Sequence, residues 1–157
     1  MTQQLPNSRT CFLCGVDNSA GLKLKFYRDG QRVFTRVTLP DWLAGYQGVA
    51  HGGIVVALLD EVMGWAANCY ARGATATGEI QVRFRHPTPV GEELLVDADV
   101  VKSRGRVVYT QGRLLRDGGM VCATGSAKLM KQLETSDGAR NYDLVYEPGD
   151  ARIFGDD

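Results

Sequence analysis

The sequence has little of what marks a secreted, membrane-spanning or nucleic-acid-binding protein. Its longest apolar run, Ile54 to Leu59, is far shorter than the roughly 18 residues that a membrane-spanning helix needs. The first ten residues contain no apolar stretch of the kind found in secretory signal peptides. Eighteen Lys and Arg residues balance 18 Asp and Glu residues, so no net charge attracts nucleic acid or an anionic membrane. We therefore expect a cytoplasmic protein with neither nucleic-acid nor membrane partners.

Cysteine and histidine are also scarce, with four cysteines and two histidines in the chain. A reducing cytoplasm would keep the thiols free. Cys11 and Cys14 form a single CxxC motif, and a metal ion there would need two more ligands, from His51, His86, elsewhere or a partner chain. A structural zinc ion, a redox pair and ordinary buried thiols are all compatible with the motif. Ordinary thiols are the favoured interpretation, so we expect no metal site.

The length and composition indicate one soluble globular domain. A chain of 157 residues with 44% hydrophobic and 23% charged residues can build a core without disulfides or metals. The charge is uneven, because Leu133 to Asp157 carries seven acids against two arginines. We therefore predict a domain over residues 1–132 and an acidic C-terminal extension over 133–157. The apolar residues through which this extension would dock are Tyr142, Leu144, Val145, Tyr146 and Phe154.

Hydrophobic periodicity predicts one long helix and a set of strands. From Gly52 to Arg72, apolar residues cover more than half of a helix circumference, which requires burial on most sides. Elsewhere, alternating polarity and glycine-bearing turns predict antiparallel hairpins. The predicted strands are Leu22 to Tyr27, Gln31 to Leu39, 79–85, 94–100, Arg106 to Arg116 and Met120 to Met130. The fold class is α+β, with a five- to six-stranded antiparallel sheet wrapped around the helix. A single sheet layer leaves an edge exposed, so we expect at least a dimer.

The start of the predicted helix carries features of an acyl-transfer site. His51 precedes Gly52 and Gly53, whose backbone N–H groups can approach a ligand closely. The positive end of the helix dipole favours a developing oxyanion at this point.

A carboxylate lies on the same helix. Gly53, Ala57, Asp60 and Gly64 recur at helical spacing and form a stripe of small residues with one acid. An Asp among apolar neighbours is costly to bury unless it is paired, so Asp60 either makes a structural hydrogen bond or acts as base or nucleophile. Glu61, about 100° further round, is expected to pair with an arginine or with solvent; it is the alternative acid.

The segment from His51 to Asp60, HGGIVVALLD, resembles the helix-start signature of hotdog-fold acyl-CoA thioesterases of the phenylacetate-pathway and 4-hydroxybenzoyl-CoA type. The resemblance continues through VRFRHP (82–87), PVGE (89–92) and SRGR (103–106), and covers about residues 11–131. The opening CFLCG (11–15) is similar to one branch of that family. The resemblance implies a hotdog fold.

The resemblance also implies roles for five residues. Asp60 would activate water or attack the thioester. Gly52 and Gly53 would donate N–H groups to the carbonyl oxygen, and His51 would orient the thioester. Thr77, ten positions before Pro87, would hold the attacking water, although it is equally well explained as a plain strand-start threonine.

Two further parts of the implied site are less regular. Many family members have an Asn six residues before the His, where this chain has Gly45; the nearest amide is Gln47. Lys102, Arg104 and Arg106 cluster at one predicted hairpin and would bind the phosphates of coenzyme A.

Together these residues predict an enzyme that hydrolyses an acyl-CoA thioester to free acid and CoA. No cofactor is expected beyond the CoA of the substrate. The resemblance implies a homodimer, or a dimer of dimers, with each active site built from the helix of one subunit and strand residues of the other. Two alternatives stay open: a non-catalytic acyl-CoA-binding or regulatory module, and a hotdog hydratase or dehydratase.

Overall fold

The computed structural model describes residues 1–132 and 143–154, and it consists of one long helix and an antiparallel sheet that wraps around it. The helix α1 spans Gly52–Ala71, and two short 3₁₀ turns lie at Asp41–Leu43 and Asp117–Gly119. The strands are β1 (Gln3–Gln4), β2 (Asn7–Ser8), β3 (Tyr27–Asp29), β4 (Arg32–Thr38), β5 (Ala44–Tyr46), β6 (Val49–Ala50), β7 (Thr75–Phe84), β8 (Glu93–Arg104), β9 (Val107–Arg116), β10 (Met120–Lys131) and β11 (Leu144–Val145).

The main sheet has seven strands in the order β1-β3-β4-β8-β9-β10-β7, and all of its neighbouring strands are antiparallel. The sequence predicted five or six strands; the difference includes the two-residue strand β1, which lengthens the edge beside β3. The predicted hairpin turns are confirmed, and Gly30 and Gly105 at two of them have φ of 61° and 56°, which other residues rarely adopt.

Helix α1 is buried because the sheet curls around it. Eight of its residues are buried: Val55, Leu58, Leu59, Val62, Met63, Trp65, Ala66 and Ala67. Its length and apolar composition would also suit a membrane span, but core helices of soluble proteins can be equally long and apolar. The helix approaches β9 closely at Gly112, where an added Cβ would lie 3.2 Å from Met63 Cγ.

The predicted strand from Leu22 to Tyr27 is wrong over most of its length. Only Tyr27 belongs to a strand, β3. The N–H of Leu24 donates to the carbonyl of Leu13, and the N–H of Leu5 donates to the carbonyl of Phe26. These backbone groups therefore pair with the N-terminal segment rather than with a long neighbouring strand.

The described part of the C-terminal extension packs on the N-terminal segment. Strand β11 pairs with β2, and the N–H of Ala151 donates to the carbonyl of Gln4. Leu144 and Val145 are half-buried and Ile153 is buried, as docking predicts. Tyr142 lies outside the described residues, and the domain boundary at 132/133 stays a prediction.

Within residues 1–132 and 143–154, strand β7 forms one edge of the main sheet and pairs on one side only, with β10. It is ten residues long, and most of its residues are exposed in the single chain. Phe84 at its end is 58% exposed. A long edge strand with exposed apolar side chains is a surface for pairing with another chain.

Candidate active site

The first element of the site is the N-terminus of α1. The Nδ1 atom of His51 accepts a hydrogen bond of 2.9 Å from the N–H of Gly53, so the imidazole caps the helix. In the neutral imidazole this bond places the proton on Nε2. The first N–H group of α1 with a backbone partner is that of Ile54, which donates to the His51 carbonyl. No described residue accepts a hydrogen bond from the N–H of Gly52. The helix start thus offers one free N–H donor, from Gly52, beside an imidazole N–H donor.

A cavity of about 640 Å³ opens beside this helix start. It is lined by the β5–β6 hairpin, by His51 and Gly52, and by residues 84–88 that follow the end of β7. Gln47 is exposed and is not among the lining residues. The structure therefore does not bring the predicted amide to the helix start.

Gly45 occupies the position, six residues before His51, where the family resemblance leads one to expect an Asn, and it packs closely on His51. A Cβ at residue 45 would lie 3.1 Å from the Cα of His51 and 3.4 Å from its Cδ2. The absence of a side chain allows the β5–β6 hairpin to lie against His51. An Asn at this position would require the hairpin to shift by a few tenths of an ångström.

The second element is a hydrogen-bonded pair, Asp60 and Thr77. The Thr77 hydroxyl donates a hydrogen bond of 2.7 Å to Asp60 Oδ1. The pairing of β10 with β7 skips Gly78, since Lys128 lies opposite Glu79 and Leu129 opposite Thr77. Such a bulge re-aims the neighbouring side chain. The sequence-based expectation placed the strand residue in the other subunit; the structure places Thr77 and Asp60 together in one chain.

The two elements are separated along α1. Asp60 lies eight residues after Gly52, which corresponds to a rise of about 12 Å along the helix axis. A single carbonyl group cannot contact both the Gly52 N–H and the Asp60 carboxylate of the same chain. One chain therefore carries two half-sites.

The predicted CoA-binding hairpin lies at the far end of β7 from the cavity. The N–H of Lys131 donates to the carbonyl of Arg106, and Lys131 pairs with Thr75 at the start of β7. The ammonium of Lys102 lies 4.8 Å from the centre of the Tyr109 ring. Arg104 is exposed at the same tip. Within one chain, these cations and the cavity beside His51 are not brought together.

Known proteins share part of this sequence. Residues 47–123, which include the helix start, Asp60 and Thr77, match the model of the thioesterase superfamily. The matched residues, 77 of the 157 in the chain, carry the sequence pattern of the thioesterase superfamily. It is 29% identical over 108 residues to acyl-coenzyme A thioesterase THEM4 of Xenopus laevis, covering 68% of this chain and 48% of that protein.

Another relative resembles this chain in sequence, and solved structures resemble it in fold. Acyl-coenzyme A thioesterase 13 of Mus musculus is 26% identical over 80 residues, covering 45% of this chain and 57% of that protein. The chain thus spans about half the length of these curated relatives. A crystal structure described as a thioesterase superfamily protein has a TM-score of 0.73 at 28% identity, covering 79% of this chain and 61% of that one. The PaaI protein of E. coli has a TM-score of 0.66 at 18% identity, covering 75% and 83%. The hotdog fold implied by the sequence is confirmed.

One acidic residue of this chain lies where the sequence did not predict it. Glu61 was expected to face an arginine or solvent. Instead its Oε1 lies 3.5 Å from Cys11 Sγ and accepts a 3.2 Å hydrogen bond from the Trp65 indole N–H. Burial raises the pKa of Glu61 to about 7.

The thiols beside Glu61 are perturbed in opposite directions. Interaction with the Cys14 thiol lowers the pKa of Cys11 to about 5, and the same interaction raises the pKa of Cys14 together with its burial. The signal that could have located this cluster was the CFLCG opening combined with an acid on an otherwise apolar helix face. Nothing in the spacing joined the two, because 50 positions separate Cys11 from Glu61.

Proposed function

We propose that this chain hydrolyses acyl-CoA thioesters to the free acid and CoA. The observation that carries the proposal is the 2.7 Å hydrogen bond between Thr77 and Asp60, on a helix whose N-terminus has a free N–H donor at Gly52. Both curated relatives described above are named acyl-coenzyme A thioesterases, which supports CoA esters as the substrate class.

In the proposed reaction, the Gly52 N–H and the positive end of the α1 dipole stabilise the oxyanion that forms on the thioester carbonyl. The His51 Nε2–H donates to the thioester and orients it. Gly53 positions His51 rather than binding the oxyanion, because its own N–H is already bonded to Nδ1. This differs from the role that the family resemblance implied for Gly53.

Asp60 supplies the attack on the carbonyl carbon. Thr77 occupies Oδ1, so Oδ2 is left to take a proton from the attacking water or to attack directly. With water as the nucleophile, the proton passes to Asp60 and then to the departing CoA thiolate. If Asp60 attacks directly, the C–S bond breaks, CoA thiolate departs and an acyl–Asp60 anhydride is left, which water then hydrolyses; one proton of that water passes to the thiolate. By either route the products are the acid and CoA thiol.

The separation of the two half-sites leads to a dimer as the active species. The unpaired edge of β7 runs from Thr77, beside Asp60, to Phe84, which lies within 3.5 Å of a Cβ placed at Gly52. Antiparallel pairing of two such edges would bring the Asp60 end of one strand to the Gly52 end of the other. In that arrangement each active site takes Asp60 and Thr77 from one subunit and His51 and Gly52 from its partner.

The test is CoA thiol release from a panel of aromatic and straight-chain acyl-CoA thioesters. Saturable turnover of at least one thioester is expected. Saturable binding across the panel without thiol release would contradict hydrolysis and favour the acyl-CoA-binding module. Water addition to an enoyl-CoA without thiol release would favour the hydratase.

A further inference from the structure

A group of two thiols and one carboxylate lies where the N-terminal segment, residues 1–21, contacts α1, outside the proposed active site. The Sγ atoms of Cys11 and Cys14 and a carboxylate oxygen of Glu61 all lie within 4.8 Å of one another. Cys14 is fully buried, and Cys11 and Glu61 are half-buried. We call these residues the Cys–Cys–Glu cluster. Proposed hydrolysis uses none of them.

The turn that presents the two thiols is tightly closed. The N–H of Gly15 donates to the Cys11 carbonyl at 2.7 Å, and the N–H of Leu13 donates to Cys11 Sγ at 3.4 Å. A Cβ at Gly15 would lie 2.3 Å from the Cys11 carbonyl oxygen, so only glycine closes the turn in this way. The Leu13 N–H, which donates to the Cys11 sulfur, stabilises its thiolate form, and the thiolate is the form that binds a metal.

The hydrogen-bond partners of the Glu61 carboxylate carry no positive charge. Among the described residues no Lys, Arg or His forms an ion pair with it, and its recorded partners are a thiol and the Trp65 indole. A buried carboxylate is costly unless it is paired with a cation or coordinates a metal. A metal ion would supply the missing positive charge.

We propose that Cys11, Cys14 and Glu61 bind one zinc ion. Tetrahedral zinc with ordinary Zn–S and Zn–O bonds places a sulfur and an oxygen ligand about 3.5 Å apart, which agrees with the 3.5 Å between Cys11 Sγ and Glu61 Oε1. Two thiolates select a soft or borderline ion such as zinc over magnesium or calcium. Three protein ligands leave one tetrahedral position for a solvent molecule.

The ion would fasten the N-terminal segment to α1. Cys11 and Cys14 lie on that segment and Glu61 lies on the helix, one residue after Asp60. The zinc ion would therefore stabilise the fold and hold the helix at the level of Asp60. It would have no contact with the substrate and no step in hydrolysis.

The test uses the full chain, stripped with a chelator under reducing conditions and titrated with Co²⁺ and then Zn²⁺. One equivalent of Co²⁺ should give the intense thiolate-to-cobalt charge-transfer band, and one equivalent of Zn²⁺ should remove it. Cys11→Ser and Cys14→Ser should abolish the band. Cys69→Ser changes a thiol that lies on α1, as Glu61 does, but outside the cluster, and it should leave the band intact.

Glu61→Gln keeps an acceptor for the Trp65 indole. It therefore tests the site independently if the cysteine variants fail to fold. It should weaken zinc binding at least tenfold and remove the rise in melting temperature that zinc gives the unaltered chain. The proposal would be overturned if the unaltered chain, with four reduced thiols by titration, took up no Co²⁺. It would also be overturned if Cys69→Ser abolished binding as fully as Cys14→Ser. A reversible Cys11–Cys14 disulfide in a chain that binds no metal would identify a redox pair instead.

Discussion

At the scale of single residues, the hydrogen bond between Thr77 and Asp60 distinguishes the two carboxylates that follow one another on α1. Asp60 is half-exposed and bonded to a hydroxyl, whereas Glu61 is enclosed by thiols and an indole. The helix turns them about 100° apart, so they face different surroundings. Their chemistry therefore differs although their side chains differ by one methylene group.

The first prediction concerns Asp60. Asp60→Asn should lower kcat by about 10²–10⁴-fold, because it removes the acid–base or nucleophilic group while keeping nearly the same shape. Thiol-release kinetics and thermal unfolding measure the two effects. Asp29→Asn, at an exposed position on β3 away from α1 and β7, is the matched control and should leave kcat unchanged. Full activity in Asp60→Asn would exclude Asp60 from the reaction.

The second prediction concerns Cys69. Burial raises its pKa from 9.0 to about 11, so between these pH values the folded chain holds a proton that the unfolded chain loses. The contribution of Cys69 to the free energy of unfolding is therefore complete below about pH 9. It decreases by about 2–3 kcal/mol as pH rises to about 11. Urea unfolding in reducing buffer at several pH values measures this loss.

Cys69→Ser is the comparison, because serine does not titrate in this range. The difference in unfolding free energy between the two proteins should shrink as pH rises from about 9 to about 11. Parallel curves of unfolding free energy against pH over that range would show that burial does not raise the pKa of the Cys69 thiol.

At the scale of elements, the contact between α1 and the sheet depends on glycine. Gly112→Ala on β9 should lower the free energy of unfolding by about 1–3 kcal/mol, because its Cβ would lie 3.2 Å from Met63 Cγ and 3.2 Å from the carbonyl oxygen of Asp97. Denaturant unfolding measures the loss. In a Met63→Ala background the added methyl group meets freed space, so its cost should decrease; an unchanged cost would assign the effect to the Asp97 carbonyl alone.

The β8–β9 hairpin carries a prediction about substrate binding. Changing both Arg104 and Arg106 to Ala should raise KM and leave kcat nearly unchanged, because distant phosphate contacts stabilise ground and transition states equally. The effect should shrink as salt rises, by screening. Arg28→Ala with Arg36→Ala, on strands β3 and β4, is the control with the same loss of charge. Equal KM values for the hairpin variant and the unaltered chain would remove both residues from the site.

Elements with a local signal could be predicted from the sequence. The start of α1 at Gly52 follows from a double glycine before an apolar helix, and the β8–β9 turn follows from Gly105. Residues 22–26 were predicted as a strand because their alternation is correct, but their backbone partners include Leu13. The surroundings of Glu61 could not be predicted, because its neighbours come from a distant segment whose own pattern has no period.

At the scale of the whole molecule, the proposed dimer predicts complementation between inactive variants. Gly52→Pro removes only the N–H donor, since proline suits the first helical position and the preceding His51 already has φ −58° and ψ 135°. Mixing Gly52→Pro with Asp60→Asn should restore about a quarter of the native activity. Half of the randomly exchanged dimers are hybrids, and each hybrid has one intact site of two.

The matched control mixes Asp60→Asn with Thr77→Val. Both changes lie in the same half-site of one chain, so no hybrid dimer contains an intact site and no activity should return. Thiol release after verified subunit exchange measures both mixtures. Recovery in the control, or none with Gly52→Pro, would contradict the proposed division of the site between subunits.

The pairing of β2 with β11 has a kinetic consequence. Gln4 Nε2 donates to Glu147 Oε2, across 143 positions of chain, and Lys25 forms an ion pair with the same Glu147. Contacts between such distant positions form slowly, because the entropy of closing a long loop is lost before the contacts contribute stabilising free energy. During synthesis residues 4–8 emerge more than a hundred residues before their partners at 144–151. The helix and central hairpins can therefore assemble on the ribosome before residues 144–151 are available to pair with residues 4–8.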